Sequence, residues 1–284
     1  MWNLSYKLQE KDSKFFAAMV TSTDQLGREI THPLRPQRIV SLVPSQTELL
    51  YYLGLQERVV GITKFCIHPE SWFHTKTRVG GTKNPDLQKI RSLQPDLIIG
   101  NKEENDVTQI TELMEEFPVW MSDISNLDEA CEMIQAIGTL VQQPEKASEL
   151  VSEISLRFKS LEKRINNKSL RVAYVIWKEP WMVAGSETFI DDLIVRCGCI
   201  NVFEKIPRYP KTDLQEIKKL EPDVILLATE PYPFEEKHIA EVKSQLSGTR
   251  VALADGELFS WYGPRLLNTP EYLKNLLKQI DSPS

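Results

Sequence analysis

The chain has 284 residues, 41% hydrophobic and 26% charged, with a formal charge of −6. That length allows a large buried core and two lobes, since single cores rarely grow much past roughly 250 residues. The acidic balance argues against nucleic acid as a partner, and the longest apolar runs, such as VILLA and DLIIG, fall far short of the ~20 residues that cross a bilayer.

The N-terminal stretch MWNLSYKLQEKDSKFFAAMVTS is charged, and its apolar run FFAAMV is shorter than the ~7–15 residues of a secretory leader. With Met1 as the native start this predicts a cytoplasmic protein; a mature chain with a replaced leader would read the same and belong in the periplasm. Cys66, Cys131, Cys197 and Cys199 are too few and scattered for a disulfide framework and fit reduced thiols. The expected layout is an extension with lead-in strands over 1–36, an α/β lobe over 37–142, a linker helix over 143–168 and a second α/β lobe over 169–284.

RIVSLVPS (38–45) reads as the strand that opens the first lobe. Ser45 and Glu48, three apart before LLYYLG, fit a capping box, although a helix start aimed into a cleft also favours anionic groups. ERVVGI is a second strand, and TKFCIHP (63–69) follows it with Lys64, Cys66 and His68. Zinc needs three or four ligands, and no other histidine has a recognisable spacing with Cys66. A thiol nucleophile needs its imidazole alongside, whereas residues two apart in an extended segment point to opposite sides. Two readings stay open: Cys66 as a small buried residue, and His68 as a pocket group, such as an axial ligand to a metal already held in a macrocycle.

Residues 86–99 read DLQKIRSLQPDLII and residues 213–226 read DLQEIKKLEPDVIL, identical at eight of fourteen positions. Each copy is a short helical phase, a proline and a β-branched run, and helix–turn–strand units build parallel sheets. After the first copy, NKEEN (101–105) crowds Lys102, Glu103 and Glu104 at a strand end, either as a solvated helix start or as cleft residues, and FPVWMSDI supplies a further strand. From Pro144 to Ile165 apolar residues recur at Leu150, Val151, Ile154, Phe158, Leu161 and Ile165 without glycine or proline, which predicts one amphipathic helix of about 30 Å. It is either a rigid connector between lobes or another packed helix. RVAYVIWK (171–178) opens the second lobe and GTRVALAD continues it.

Ligands of α/β sheets bind outside the carboxyl ends of the strands. The loops there hold Pro44, Ser45, the turn with Lys83, and Glu103 in lobe one, and WKEPWM, RYP, EPYPF and SWYGPR in lobe two. Trp177, Trp181, Tyr209, Tyr232, Phe234, Trp261 and Tyr262 are all expected in loops, where they either cap the core or line a cleft for a flat, bulky ligand. Glu103, Glu179 and Glu230 could run acid–base chemistry if paired across such a cleft. No GxGxxG, P-loop or GxSxG pattern marks an enzyme.

The stretch LGREITHPLRPQRIVSLVPSQTELLYYLGLQERVVGIT, the paired L-x-P-D elements, the linking helix and the closing DGELFSWYGPR resemble the helical-backbone substrate-binding proteins of ABC transporters, with the vitamin B12-binding branch nearest. The resemblance runs from about residue 20 to the C-terminus. It implies two Rossmann-like α/β lobes with parallel sheets, joined by one long helix, and a monomer. A cobalamin or other corrinoid, haem or a ferric chelate would be clasped between them, with Pro44, Cys66, His68 and Trp177 near it and Arg265 at the closing segment. It implies no catalytic cofactor. The alternative is a cytoplasmic enzyme or chaperone acting on a corrinoid or tetrapyrrole through His68 and cleft carboxylates. The resemblance also implies an ABC permease docked through one acid per lobe, but Gln88 and Gln215 stand at those positions, with Asp86, Asp213 and Glu216 nearby.

Overall fold

The computed structural model describes residues 18–162, 170–246 and 248–281. An antiparallel hairpin leads in, β1 (Met19–Thr23) and β2 (Glu29–Pro33). There follow β3 (Ile39–Ser41), α1 (Pro44–Tyr52), β4 (Val59–Ile62), α2 (Glu70–Thr75), β5 (Thr77–Arg78), α3 (Leu87–Ser92), β6 (Leu97–Asn101), α4 (Val107–Met114) and β7 (Val119–Ser122). The five strands after the hairpin form one parallel sheet in the order β5-β4-β3-β6-β7. Ile39, Val40, Leu97, Ile98, Ile99, Val119 and Trp120 are buried, as expected of strands covered on both faces. The order reverses at β3, so the loops leaving β3, β4 and β6 open at one crevice. The hairpin turn covers the outer edge of the sheet: Gln25 N donates to Met121 O at 3.1 Å and Met121 N donates to the buried Asp24 carboxylate at 3.3 Å.

After α5 (Leu127–Leu140) and α6 (Pro144–Glu162) come β8 (Arg171–Trp177), β9 (Trp181–Val183), α7 (Phe189–Arg196), β10 (Ile200–Asn201), β11 (Lys211–Thr212), α8 (Leu214–Lys219), β12 (Val224–Ala228), α9 (Glu236–Gln245), β13 (Arg250–Ala254), α10 (Gly256–Ser260) and α11 (Thr269–Asp281). The second sheet runs β11-β9-β8-β12-β13, with β10 also on β8. It is mixed rather than parallel. β8, β10, β12 and β13 run together, but β9 turns straight back on β8 and β11 pairs antiparallel with β9. The chain reverses at Glu179, whose φ is +64°, and Trp177 and Trp181 are therefore the end of one strand and the start of the next, not loop residues.

The repeat builds the same clamp twice. Asp86 caps α3 by accepting from Lys89 N, and Asp213 caps α8 by accepting from Gln215 N and Glu216 N. Each helix ends through a residue at positive φ, Gln94 (+44°) and Glu221 (+48°), just ahead of Pro95 and Pro222. Asp96 then accepts the backbone N–H groups of Gln37 and Arg38 at 2.7 and 2.8 Å, and Asp223 accepts that of Arg171 at 2.8 Å. The arginines close the loop, Arg38 donating to Leu93 O and Arg171 to Leu220 O. One carboxylate thus seats the first strand of each sheet beside the strand that follows the repeat.

α6 carries the expected periodicity as far as it is described: Leu150, Ile154, Phe158 and Leu161 are buried and Val151 is half-buried. Ile165 and the remainder of the expected helix lie outside the described residues, as do the first seventeen residues. The helix is connector and core at once. Its apolar face belongs to a single cluster that includes Leu49 and Trp120 under the first sheet and Val172, Leu226 and Phe259 under the second. Among the described residues no helix is long and apolar enough to cross a membrane.

Because Asp96 satisfies two backbone donors and Asp223 one, Asp96→Ala should lower the unfolding free energy by about 1–2 kcal/mol and Asp223→Ala by about 1 kcal/mol. Urea denaturation followed by circular dichroism measures both; equal, negligible losses would show that these contacts hold nothing.

Candidate functional site

The tips of the two sheets face each other, and side chains from both close the seam between them. The expected capping box at Ser45 is not there. Pro44 occupies the first turn, Val43 is the cap residue and contributes no side chain, and the Ser45 hydroxyl is buried without a hydrogen-bond partner among the described residues. Glu48, freed from that role, reaches Arg265 Nε at 3.1 Å. Arg265 Nη1 also holds Glu257 at 2.6 Å, and its guanidinium lies 4.6 Å from the Trp261 ring centre. His68 Nε2 stands 3.4 Å from the other oxygen of Glu257, with its ring edge-on to Trp261 at 5.7 Å. Lobe one thus supplies Glu48 and His68, and lobe two Glu257, Arg265 and Trp261. The turn carrying Trp261 and Arg265 packs onto α1, and it does so through Gly263, where φ is +154° and an added Cβ would come 3.3 Å from Ser45 O.

A second set closes the seam at the β6 tip. Asn101 Oδ1 accepts from Glu103 N and Glu104 N, stiffening the turn, and Asn101 N donates to Asn105 Oδ1. The Glu103 carboxylate pairs with Arg208 across the seam and accepts from Tyr209 Oη at 3.3 Å. Lys83 Nζ donates to the carbonyls of Glu103 and Asn105. The solvated reading of NKEEN therefore fails for Glu103 and Glu104, since the first is in an inter-lobe pair and the second is half-buried. RYP precedes β11 rather than following a strand, and it reaches the seam from that side.

Burial sets the proton affinities here. The Glu104 carboxyl is pushed up to about 7 by desolvation, with Lys83 pulling it down and Glu230 of the opposite lobe pushing it further up. Burial raises Glu230 also, reinforced by Glu257 and opposed by a hydrogen bond from Trp261. Glu48 is raised by burial against the pull of Arg265 and His68. Cys66 is wholly buried, hydrogen-bonded to Thr47 and Thr63 at 3.1 Å each, and its thiol is pushed up to about 11 by desolvation. It braces the loop and offers no surface to a ligand and no thiolate near neutral pH. Among the described residues no group of three or more His, Cys, Asp or Glu could hold a metal ion.

The seven aromatics divide. Trp261, Tyr262 and Tyr209 lie at the seam, the first two buried. Trp181, Tyr232 and Phe234 cap the second lobe's own core, with Phe234 stacked on Trp181 at 6.1 Å and tilted on Tyr232 at 4.6 Å. Trp177 is exposed and edge-on to Tyr232 at 5.5 Å, and Lys64 is exposed beside the Phe65 ring at 5.0 Å. Of the expected site residues, the structure gathers Pro44, Ser45, His68, Lys83, Glu103, Tyr209, Trp261, Tyr262 and Arg265 about the seam. It sets Cys66 beneath it, Lys64 outside, and Trp181 and Tyr232 in the lobe-two core. Glu257 was invisible as a seam residue; its one sequence signal is the four-residue spacing to Trp261.

Residues 39–252 match the family model described as periplasmic binding protein. A vitamin B12-binding protein of Pectobacterium carotovorum is 25% identical over 241 residues, 82% of this chain and 85% of that protein. An ABC transporter substrate-binding lipoprotein of Bacillus subtilis is 25% identical over 268 residues, 89% of this chain and 84% of its own. A periplasmic haem-binding protein of Pseudomonas aeruginosa shares the fold with a TM-score of 0.75 at 21% identity, covering 85% of this chain and 92% of that one.

The raised Glu104 carboxyl makes stability depend on pH. The unfolded chain releases this proton from about 4.5 upward, while the folded protein keeps it until about 7. Stability from this group is therefore full below about 4.5, falls as pH rises to about 7, and is level above that. Glu104→Gln should remove this decline and gain about 2 kcal/mol over wild type at pH 8 relative to pH 4.5, discounted for partial exposure. Thermal melts of both proteins across that range measure it; parallel curves would show Glu104 to be solvated.

Proposed function

This chain belongs to the periplasmic binding protein family, and we propose that it captures a bulky metal chelate, a corrinoid, haem or iron siderophore, in the seam between its lobes and releases it unaltered. One observation carries this reading: residues from the tips of both sheets converge on a shared seam where the partly buried ion pairs Glu48–Arg265 and Glu103–Arg208 link the lobes. The apolar seating of α6 in both lobes favours small tilts over wide opening, which suits a guest admitted by modest separation of the tips. The B12-binding and haem-binding relatives place chelates of this size within reach of the same fold. His68 and Glu103, the groups an enzyme would use, are already paired with Glu257 and Arg208, which favours holding over chemistry.

Family membership makes an ABC permease the natural partner and the outside of the cytoplasmic membrane the natural location. The cytoplasmic expectation finds no support among the relatives. At α3 and α8, Gln88 and Gln215 are exposed and uncharged, and Asp86 and Asp213 are engaged as helix caps. Charge then contributes less to docking than an acid at each position would, with the exposed Glu216 the nearest substitute.

Titration calorimetry and absorbance spectra with cyanocobalamin, haemin and a ferric hydroxamate should show one of them binding with a Kd at or below about 1 µM, near −8 kcal/mol. Trp261→Ala should weaken that binding by about 1–3 kcal/mol through lost ring area. Absence of heat and of any spectral shift with all three would overturn the proposal.

A further inference from the structure

Four side chains at one corner of the seam form a chain of alternating charge, with an imidazole at its end. Glu48 of α1 meets Arg265 Nε at 3.1 Å, Arg265 Nη1 meets Glu257 at 2.6 Å, and the other oxygen of Glu257 stands 3.4 Å from His68 Nε2. The middle contact lies within lobe two and is the short one. Both outer contacts cross the seam, and both are incomplete. Arg265 Nε is buried with the Glu48 oxygen off its hydrogen-bonding direction, so that pair is ionic without a formed hydrogen bond. His68 and Glu257 are an ion pair only while the ring carries a proton, and an imidazole changes charge between about pH 5 and 8. With a neutral ring, two carboxylates share one guanidinium. With a protonated ring, each lobe contributes one cation and one anion, and two ion pairs of opposite sense span the seam.

The other charged groups near the ring do not take over its part. On its own side, Lys64 lies beside the Phe65 ring at 5.0 Å, and Glu70 stands 3.7 Å from His74. In lobe two, Glu230 packs against the start of α10, where a Cβ added to Gly256 would come 2.8 Å from that of Glu230, and its carboxyl accepts from Trp261. It adds negative charge behind Glu257 and no cation. The His68 side chain is 41% exposed, so protons reach it from solvent, while Glu257 is only 15% exposed. We propose that His68 is a proton-operated latch between the lobes: its imidazolium, formed in mild acid, holds Glu257 across the seam, and its neutral form leaves this corner to the incomplete Glu48–Arg265 contact. Burial raises the Glu48 carboxyl, so stronger acid neutralises it and loosens its hold on Arg265; the latch is tightest in mild acid. A pair with one exposed partner is weak, so the effect is severalfold and not all-or-none. The latch needs no guest, and it stands or falls separately from chelate capture.

Trp261 reports on this corner. Its ring is 7% exposed and edge-on to His68 at 5.7 Å, and solvent reaches its indole N–H when the seam parts there. Solvent exchange of the indole N–H signals is followed by nuclear magnetic resonance at pH 6 and pH 8, the Trp261 signal being the one lost in Trp261→Phe. Each rate is referred to that of free indole at the same pH to give a protection factor. Glu230 gaining protons in acid would loosen the indole in wild type and variant alike, so the ratio between the two isolates the imidazole. The ratio of wild-type to His68→Gln protection should be at least threefold larger at pH 6 than at pH 8. Circular dichroism confirms the fold, and His68→Asn replaces the glutamine variant should that one not fold. A ratio that is the same at both pH values, or smaller at pH 6, overturns the latch.

Discussion

Leu150, Ile154 and Phe158 of the linking helix are sealed in an apolar cluster that starts beneath one sheet and finishes beneath the other. Everything at the seam depends on that seating. Burying such side chains contributes about 1.5–3 kcal/mol each, and separating the lobes widely would expose several at once. The backs of the lobes are therefore fixed to each other, and the freedom that remains lies at the strand tips, where contacts are polar. On the reading proposed for the seam, such a plan favours gripping by small displacements of the tips over a wide swing.

The character of those tip contacts follows from their partial burial. Glu257, Arg265 and Glu103 have side chains only 15–18% exposed, so the pairs are stronger than surface salt bridges yet carry a desolvation penalty that offsets much of the attraction. An interaction close to balance suits a seam that must open. Separating Glu103 from Arg208 would leave the carboxylate, the more buried of the two, without its cation, whereas the Arg208 side chain is 41% exposed and can be hydrated.

The parts of the fold legible in the sequence are those whose causes are local. The repeat could be read because each of its residues acts within a few positions: an aspartate caps, a proline ends the helix, a β-branched run enters the sheet. The linking helix could be read because a 3.6-residue period survives over four turns without interruption. Local reasoning failed in two places for identifiable reasons. Ser45 and Glu48 have the spacing of a capping box, but Pro44 can occupy the first turn itself, so the helix starts earlier and both side chains are released. The β8–β9 hairpin is not legible in the sequence because β9 is only three residues long, directly after Pro180, and so carries no period. The partner of Glu48 lies more than two hundred residues away at Arg265, and no spacing rule reaches that far. Cys66 shows the converse: its buried, braced state was the plainer of the readings open for TKFCIHP.

The two halves agree where backbone geometry demands it and part company where a guest would be met. Arg38 with Asp96 and Arg171 with Asp223 repeat the same clamp because each sheet has to hold its first strand beside the strand after the repeat. At the tips nothing is repeated. Lobe one ends β6 in a turn stiffened by Asn101 and loaded with glutamates, while lobe two ends β8 in a hairpin whose aromatics pack on their own core and sends Trp261 and Arg265 in from beyond α10. A symmetric seam would suit a symmetric guest. Unlike tips on like scaffolds give the two sides of the seam different chemistry: carboxylates and a cation on both, the arginines and the Trp261 indole on the second lobe only. On the reading proposed for the seam, such asymmetry would distinguish one orientation of a guest from the other.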